Sequence, residues 1–140
     1  MKIGIIANTT KDKDLAVTRQ VAQKVSQTET VTVCREIADA FPHFSMGDGE
    51  RLYKEQDMLL VLGGDGTILH MAKTATRRGL PILGVNIGTM GFMAELESNE
   101  MDLLRRLKND DYKTESRMML DVKVLRDGKE IFRDTALNDA

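Results

Sequence analysis

The 140-residue sequence contains little cysteine, no tryptophan, few prolines and no excess of charge of either sign. With Cys34 as its one cysteine, the chain cannot build a disulfide framework of its own, and we interpret Cys34 as an apolar filler of a strand. A formal net charge of −2 argues against nucleic-acid and anionic-membrane partners, because both require a basic patch. The first apolar run is too short for a signal peptide or a membrane span, so we expect a cytoplasmic protein.

Several familiar catalytic and metal-binding motifs are also missing. The sequence has no G-x-x-x-x-G-K-[ST], which excludes a Walker-type phosphate loop, and no G-x-S-x-G, which excludes the common hydrolase elbow. It has neither H-E-x-x-H nor C-x-x-C, so no zinc site is predicted. The histidines are His43, which we interpret as structural or exposed, and His70, which follows a glycine-rich loop. We therefore predict no residues that act as metal ligands in a dedicated protein site.

The chain does show a regular alternation of strand and helix patterns. Its hydrophobic periodicity predicts strands at 2–7, 30–35, 57–62 and 82–86 and helices at 14–26, 67–78 and 99–108. The third strand has five apolar residues in succession, which is typical of a parallel strand covered on both faces. Gly79 is predicted to cap the second helix at its C-terminal end and Ser98 to cap the third at its N-terminal end. Residues 36–55, with Gly47 and Gly49, are predicted to form a loop with a short helical piece.

From residue 116 onwards the pattern changes to alternating apolar and polar residues. Asp127-Gly128 is a strong signal for a β-hairpin turn. The predicted fold class is therefore α/β: a Rossmann-like, doubly wound, mostly parallel sheet over 1–115, followed by the start of an antiparallel β region over 116–140. In such sheets, ligands bind beyond the carboxyl ends of the strands.

The first of two glycine-rich loops at that edge is Gly63-Gly64-Asp65-Gly66-Thr67. Glycines let the backbone adopt positive φ or approach a ligand closely, and the N–H groups at the start of the next helix favour anions such as phosphates. Asp65 would repel a bare phosphate. It could hold a Mg²⁺ ion that carries the phosphate, or it could accept the proton of a hydroxyl about to be phosphorylated, and the sequence leaves both roles open.

A simple turn is the competing explanation, because Asp and Gly are common turn formers. Gly47-Asp48-Gly49 repeats the G-D-G pattern, but no apolar strand precedes it, and we predict that it is only a turn. The run at residue 63 is instead fed by a buried strand and followed by a helix. This context favours a binding loop there.

The second glycine-rich loop contains Gly84, Gly88 and Gly91. Its spacing differs from the G-x-G-x-x-G dinucleotide fingerprint, so by itself it is also compatible with an ordinary turn. Phe92, directly after it, could stack on a base or pack in the core. His70 lies one helical turn after Gly66 and could point back to the first loop.

Together, "GGDGTIL", "GVNIGTMGF", "RMML" and "LND" closely resemble, in this order, the NAD kinase family. The resemblance implies transfer of a phosphoryl group from ATP, or from polyphosphate, to the adenosine-ribose 2′-hydroxyl of NAD, with Mg²⁺ or another divalent cation accompanying ATP. It implies that Asp65 is the catalytic acidic residue. The other residues that the resemblance places at the nucleotide are Gly64, Gly66, Thr67, His70, Phe92, Met93, Asn138 and Asp139. Members of the family have Glu where this chain has Asp139, which is one methylene shorter.

The same resemblance implies an α/β N-terminal domain, an all-β C-terminal domain and an active site between them. Residues 116–140 would be the beginning of that second domain, so we expect the chain to be a fragment with negligible kinase activity of its own. We also expect a homo-oligomer, a dimer or a tetramer. Two alternatives share the first loop: a lipid kinase of the diacylglycerol type and a non-catalytic nucleotide-binding module. A phosphofructokinase is less favoured, since it would need more arginines near the loops.

Overall fold

The computed structural model describes residues 1–89 and 91–137 and shows two sheets. The larger sheet contains the strands β1 (Lys2–Ala7), β2 (Thr30–Cys34), β3 (Ser45–Gly47), β4 (Met58–Gly63), β5 (Ile82–Asn86) and β6 (Leu96–Glu97). The smaller sheet is a hairpin of β7 (Leu120–Arg126) and β8 (Lys129–Ala136). The helices are α1 (Ala16–Val25), α2 (Gly49–Lys54) and α3 (Asp65–Thr76), with 3₁₀ helices at Arg35–Ala40 and Met101–Asn109.

All strand pairs of the larger sheet are parallel, in the order β3-β2-β1-β4-β5-β6. The chain moves outward from β1 in one direction and then returns to start again at β4 on the other side. The carboxyl ends of β1 and β4 therefore flank a topological switch point, which is where doubly wound sheets form their ligand crevice. The predicted fold class is confirmed.

The core lies around β4, the central strand, in which every residue from Met58 to Gly63 is buried. It is paired with β1 on one side and with β5 on the other. Ile3, Ile5 and Val85 of these neighbours are fully buried. Burial on both faces explains why β4 contains no polar side chain, since each CH₂ removed from water contributes about 0.8 kcal/mol.

Two predicted chain reversals are confirmed. Gly79 has φ +61°, and the N–H of Leu80 donates to the carbonyl of Ala75, which closes the end of α3. Asp127 and Gly128 have φ values of 50° and 73°, as a two-residue hairpin turn requires.

The four strands predicted in residues 1–115 are confirmed, but the remainder of that region needs correction. Residues 36–55 contain the predicted short helical piece as α2, but they also contain the strand β3, which was not predicted. The strand β6 was not predicted. The last helix is of the 3₁₀ type and begins at Met101, and no side chain caps it. Ser98 is therefore not its cap.

Helix α3 begins two residues earlier than predicted, at Asp65 instead of Thr67. This places the whole G-D-G run in the N-terminal turn of the helix. A carboxylate is favoured there by the helix dipole, even though it would repel a bare phosphate. None of the helices within residues 1–89 and 91–137 combines the length and the apolar character that a membrane-spanning segment requires.

Candidate active site

A cavity of about 850 Å³ opens at the carboxyl ends of β1, β2, β3 and β4. Its polar lining includes Asn8, Lys11 and Thr67, and its apolar wall includes Leu52 and Met71. It thus lies at the switch point, on the edge of the sheet where the sequence predicted a ligand.

Close approach, and not positive φ, distinguishes Gly63 and Gly64 of the first loop. Neither Gly63, Gly64 nor Gly66 has a positive φ, so the expected conformational role does not apply. A Cβ on Gly63 would lie 2.5 Å from Oγ1 of Thr67, and a Cβ on Gly64 would collide with Nζ of Lys11. Side chains therefore pack directly against the backbone of this loop. Gly66 is different, because a Cβ there would meet open space.

Asp65 joins the two glycine-rich loops. Its carboxylate accepts hydrogen bonds from the N–H of Phe92, at 3.0 and 3.1 Å, and from the N–H of Met93, at 3.0 Å. Gly91 precedes these two donors, and any Cβ on it would collide with the Asp65 carboxylate. The second loop thus closes over the first through one side chain and one obligatory glycine.

The electrostatic environment keeps Asp65 ionised. The N–H groups of Phe92 and Met93 lower the pKa of its carboxyl group below the ordinary value, and the charge of Lys11 lowers it further. A carboxylate in this state can accept a hydrogen bond from a hydroxyl or coordinate a cation. Its low proton affinity makes it a weaker base than an ordinary aspartate, so both roles considered from the sequence remain open.

Asn8 and Lys11 belong to this site, and the sequence analysis assigned no role to either residue because it singled out only the glycine-rich loops. Asn8 follows β1, and its Nδ2 donates to Oγ1 of Thr67 at 3.0 Å. Its Oδ1 accepts from the N–H of Thr10 at 3.0 Å and from that of Lys11 at 3.3 Å. One side chain thus shapes the loop after β1 and ties it to the start of α3. A polar residue directly after a buried parallel strand was the available signal.

The other predicted site residues fall into different environments. His70 is exposed and lines the cavity together with Gly64, Gly66 and Thr67. Phe92 is 92% exposed, so it does not belong to the core. Met93 has a buried side chain and reaches the site through its N–H.

The predicted ligand pair Asn138 and Asp139 lies outside the residues that the structure describes.

A second cavity, of about 430 Å³, lies between α3 and the hairpin. Gly66 and His70 line both cavities. Lys73, one turn further along α3, forms an ion pair with Asp134 of β8, which holds the hairpin against this helix. The N-terminal half of α3 therefore separates two spaces that meet at Gly66 and His70.

The second G-D-G run is more than the turn predicted for it. Gly47 ends the parallel strand β3, Asp48 precedes α2, and Gly47 and Gly49 line the large cavity. The strand β3 is only three residues long and largely exposed, so no apolar run in the sequence predicted it. Asp48 itself points to the surface, where it lies 3.7 Å from Arg35.

The described part of the site suits a divalent cation that arrives with phosphates. Within residues 1–89 and 91–137, no three acidic, histidine or cysteine side chains converge on one point. Mg²⁺ usually keeps several waters and binds through one or two carboxylates together with substrate phosphates. The single ionised carboxylate of Asp65 beside an open cavity fits that mode of binding.

Fold and site together define a doubly wound α/β protein with a glycine-rich crevice at its switch point. The family model described as "ATP-NAD kinase N-terminal domain" matches residues 3–112. The chain therefore belongs to the NAD kinase family.

The relatives bear this out along nearly the whole chain. The NAD kinase of Acetivibrio thermocellus is 39% identical over 147 residues, and that of Natranaerobius thermophilus is 41% identical over 140 residues. They cover 99% and 98% of this chain, which in turn spans 49% of each of them. The chain thus spans about half the length of the curated relatives it matches.

The yeast NADH kinase, solved in complex with NADH, has the same fold. It superimposes with a TM-score of 0.73 at 18% identity and covers 97% of this chain, which matches 46% of the yeast chain.

Proposed function

We propose that the protein, at its full natural length, is an NAD kinase that transfers a phosphoryl group from ATP or polyphosphate to the adenosine-ribose 2′-hydroxyl of NAD, giving NADP. The observation that carries this proposal is the placement of Asp65. Its ionised carboxylate joins both glycine-rich loops, between Gly64 and Gly66 at the border of the large cavity. Membership of the NAD kinase family supplies the reaction class.

In this proposal the large cavity receives the phosphoryl donor. Its volume of about 850 Å³ is within the range of nucleotide-sized sites. Lys11 supplies a positive charge next to Gly64, and the N-terminal N–H groups of α3 favour phosphate oxygens. When Mg²⁺ accompanies the donor, Asp65 is the residue that would hold it, and the ion would neutralise charge on the phosphates.

The acceptor hydroxyl would approach Asp65 from the side of the second loop. The hydroxyl oxygen forms the new bond to phosphorus while the bond from phosphorus to the leaving phosphate breaks, and the hydroxyl proton passes to Asp65 or to solvent. His70 borders both cavities, and this position supports a contact with the phosphoryl group that is transferred. The exposed ring of Phe92 offers a stacking surface for the adenine. We expect Asn138 and Asp139 to hold the dinucleotide as well.

The decisive experiment measures NADP formation with an NADP-specific dehydrogenase, using the protein at its full natural length with MgATP and NAD. Asp65→Asn should lower kcat by at least a hundredfold, because it removes the charge but keeps the size of the side chain. Asp48→Asn is the matched control, since it makes the same change in the other G-D-G run, at a carboxylate directed to the surface. It should retain activity within about twofold.

Three results would contradict the proposal or part of it. Equal activity of Asp65→Asn and the parent protein would show that Asp65 has no catalytic role. Binding of ATP without any NADP would point to another acceptor hydroxyl, and diacylglycerol would then be tested. Nucleotide binding that never yields a phosphorylated product would favour a non-catalytic module.

The 140 residues alone are expected to form negligible NADP and to bind NAD weakly. They span about half the length of the matched relatives, and the resemblance to the family implies an active site between two domains. Turnover by the isolated chain that is lost on Asp65→Asn would contradict this expectation. Isothermal titration with NAD, in parallel with the enzymatic assay, separates weak binding from absent chemistry.

A further inference from the structure

Asn86, the last residue of β5, is a buried polar residue whose hydrogen-bonding capacity is only partly used. It is 1% exposed, and its Nδ2 donates to the carbonyl of Thr89 and to Oε2 of Glu97, both at 2.9 Å. Its Oδ1 is buried without a hydrogen-bond partner among the described residues. An unsatisfied buried acceptor costs roughly 1–3 kcal/mol, and the two donated hydrogen bonds offset part of that cost. Besides contributing to stability, these two hydrogen bonds connect Thr89 to β6.

These hydrogen bonds lie at the base of the loop that holds Asp65. Asn86 is paired with Gly63 on one side and with Glu97 on the other, so the three residues form a row across the carboxyl edge of the sheet. The loop 87–95, which the structure describes for residues 87–89 and 91–95, leaves the sheet after Asn86 and returns at β6. The Nδ2 group of Asn86 donates both to the carbonyl of Thr89, in the first part of this loop, and to Glu97 of β6, where the loop ends. It therefore connects the first part of the loop to β6.

The backbone of the same loop is anchored at both ends by ordinary hydrogen bonds. The N–H of Ile87 donates to the carbonyl of Gly63 at 2.9 Å, and that of Glu95 donates to the carbonyl of Gly84 at 3.1 Å. Between these anchors, the chain must bring the N–H groups of Phe92 and Met93 to one carboxylate. The Asn86 bridge limits how far the loop can open between its two anchored ends.

We propose that Asn86 and Glu97 are a positioning pair for Asp65: their hydrogen bond sets the shape of loop 87–95 and keeps the N–H groups of Phe92 and Met93 on the Asp65 carboxylate. Neither side chain is required to touch a substrate. The catalytic consequence rests on the proposed function, whereas the effect on the loop does not. A misplacement of about 1 Å at a reacting group can cost on the order of a hundredfold in rate, so a loosened loop should be visible in kcat.

The first arm of the test uses the 140-residue chain and compares Glu97→Leu with Glu97→Gln. Leucine removes the acceptor for Asn86, whereas glutamine keeps a carbonyl oxygen in the same place. In Glu97→Leu, the amide protons of Phe92 and Met93 should exchange with solvent at least tenfold faster than in the parent chain and lose the downfield shift of a bond to a carboxylate. In Glu97→Gln they should stay within about twofold. Glu100→Leu removes the neighbouring carboxylate, which accepts from the N–H of Glu97 outside the loop, and should leave both amides unchanged.

The second arm measures kcat and KM in the protein at its full natural length. Glu97→Leu should lower kcat by roughly a hundredfold with KM for ATP changed less than threefold, while Glu97→Gln keeps most of the rate. Unchanged amide protons in Glu97→Leu would overturn the proposal, and so would equal losses of kcat in the leucine and glutamine variants. Absence of NADP with every variant and with the parent would refute the proposed function. The exchange rates of the Phe92 and Met93 amide protons would still show whether Asn86 and Glu97 position the loop.

Discussion

At the scale of single residues, the ionisation of Asp65 is the most direct consequence of how the two loops meet. Its lowered pKa comes first from the N–H groups of Phe92 and Met93 and then from Lys11. A carboxylate with a lowered pKa stabilises the fold above its unfolded-state pKa, and that contribution is lost as pH falls through the lowered value. The loops should therefore separate only at strongly acidic pH.

Gly91→Ala is expected to raise the pKa of Asp65 towards the ordinary aspartate value. The new Cβ would collide with the carboxylate, so the loop must move and the hydrogen bonds from Phe92 and Met93 weaken. The pKa is measured from the carboxyl ¹³C shift of Asp65 during an acid titration. Gly66→Ala is the control, since its Cβ meets nothing within 4 Å and the pKa should not change. Identical titration curves for Gly91→Ala and the parent chain would contradict the geometry.

Cys34 is expected to be inert towards thiol reagents in the folded chain. It is 4% exposed, and burial raises the pKa of its thiol to about 11. Since the thiolate is the reactive form, native protein at pH 8 should react with iodoacetamide far more slowly than protein unfolded in urea. Mass spectrometry of both samples measures the difference. Equal labelling rates would show that the end of β2 opens readily.

At the scale of elements, the glycines at the two ends of α3 differ in backbone conformation. Gly79, after its C-terminus, has φ +61°, whereas Gly66, in its first turn, has an ordinary φ and open space around it. Gly79→Ala should lower the free energy of unfolding by about 1–2 kcal/mol, because an L-residue is strained in the left-handed region. Gly66→Ala should instead be neutral or stabilise the fold by up to about 1 kcal/mol. Urea denaturation measures both, and equal effects would contradict the assigned conformations.

The strands and the hairpin also show which elements can be predicted from the sequence. The strands β1, β2, β4 and β5 were predictable because each is a run of apolar or β-branched residues with polar ends. The short strands β3 and β6 were missed because pairing with a neighbour, and not local composition, defines them: Ser45–Gly47 carries almost no apolar signal. The hairpin turn was predictable because Asp127 and Gly128 both need positive φ, a local property.

Tertiary contacts also limited prediction of the site. The glycine-rich run at residue 63 was visible as a pattern, but its contact with the second loop depends on Asp65 reaching residues 27 and 28 positions away. The bond from Asn8 to Thr67 spans 59 positions. No periodicity within either segment encodes such distances. The resemblance to a family singled out Asp65, but it did not indicate the hydrogen bonds of Asn8 or Asn86.

At the scale of the whole molecule, the hairpin is exposed to solvent over most of its length. Its side chains remain exposed although several are apolar: Leu125 is 63% exposed, Phe132 54% and Ile131 51%. A two-stranded sheet of this kind also has unpaired edges, and such edges favour association.

The 140-residue chain is therefore expected to self-associate at high concentration. Sedimentation velocity from about 10 to 500 μM should show a rising sedimentation coefficient, since the buried apolar area grows with association. Combining Leu125→Lys and Ile131→Lys should shift this rise to higher concentration, because two charges would have to be desolvated in the contact. A monomer at all concentrations in the parent chain would contradict the expectation.

The parallel sheet also has a second edge, at the amino ends of its strands, where the connections are short and lie far from the crevice. Residues 26–29, which link α1 to β2, include the exposed Thr28, whose own hydrogen bond is made by its backbone. Because Cys34 is shielded, Thr28→Cys would give the 140-residue chain one reactive thiol on the side opposite the crevice. A dye or a surface linker attached there would present the crevice to solvent, so ligand capture could be followed on immobilised molecules in a known orientation.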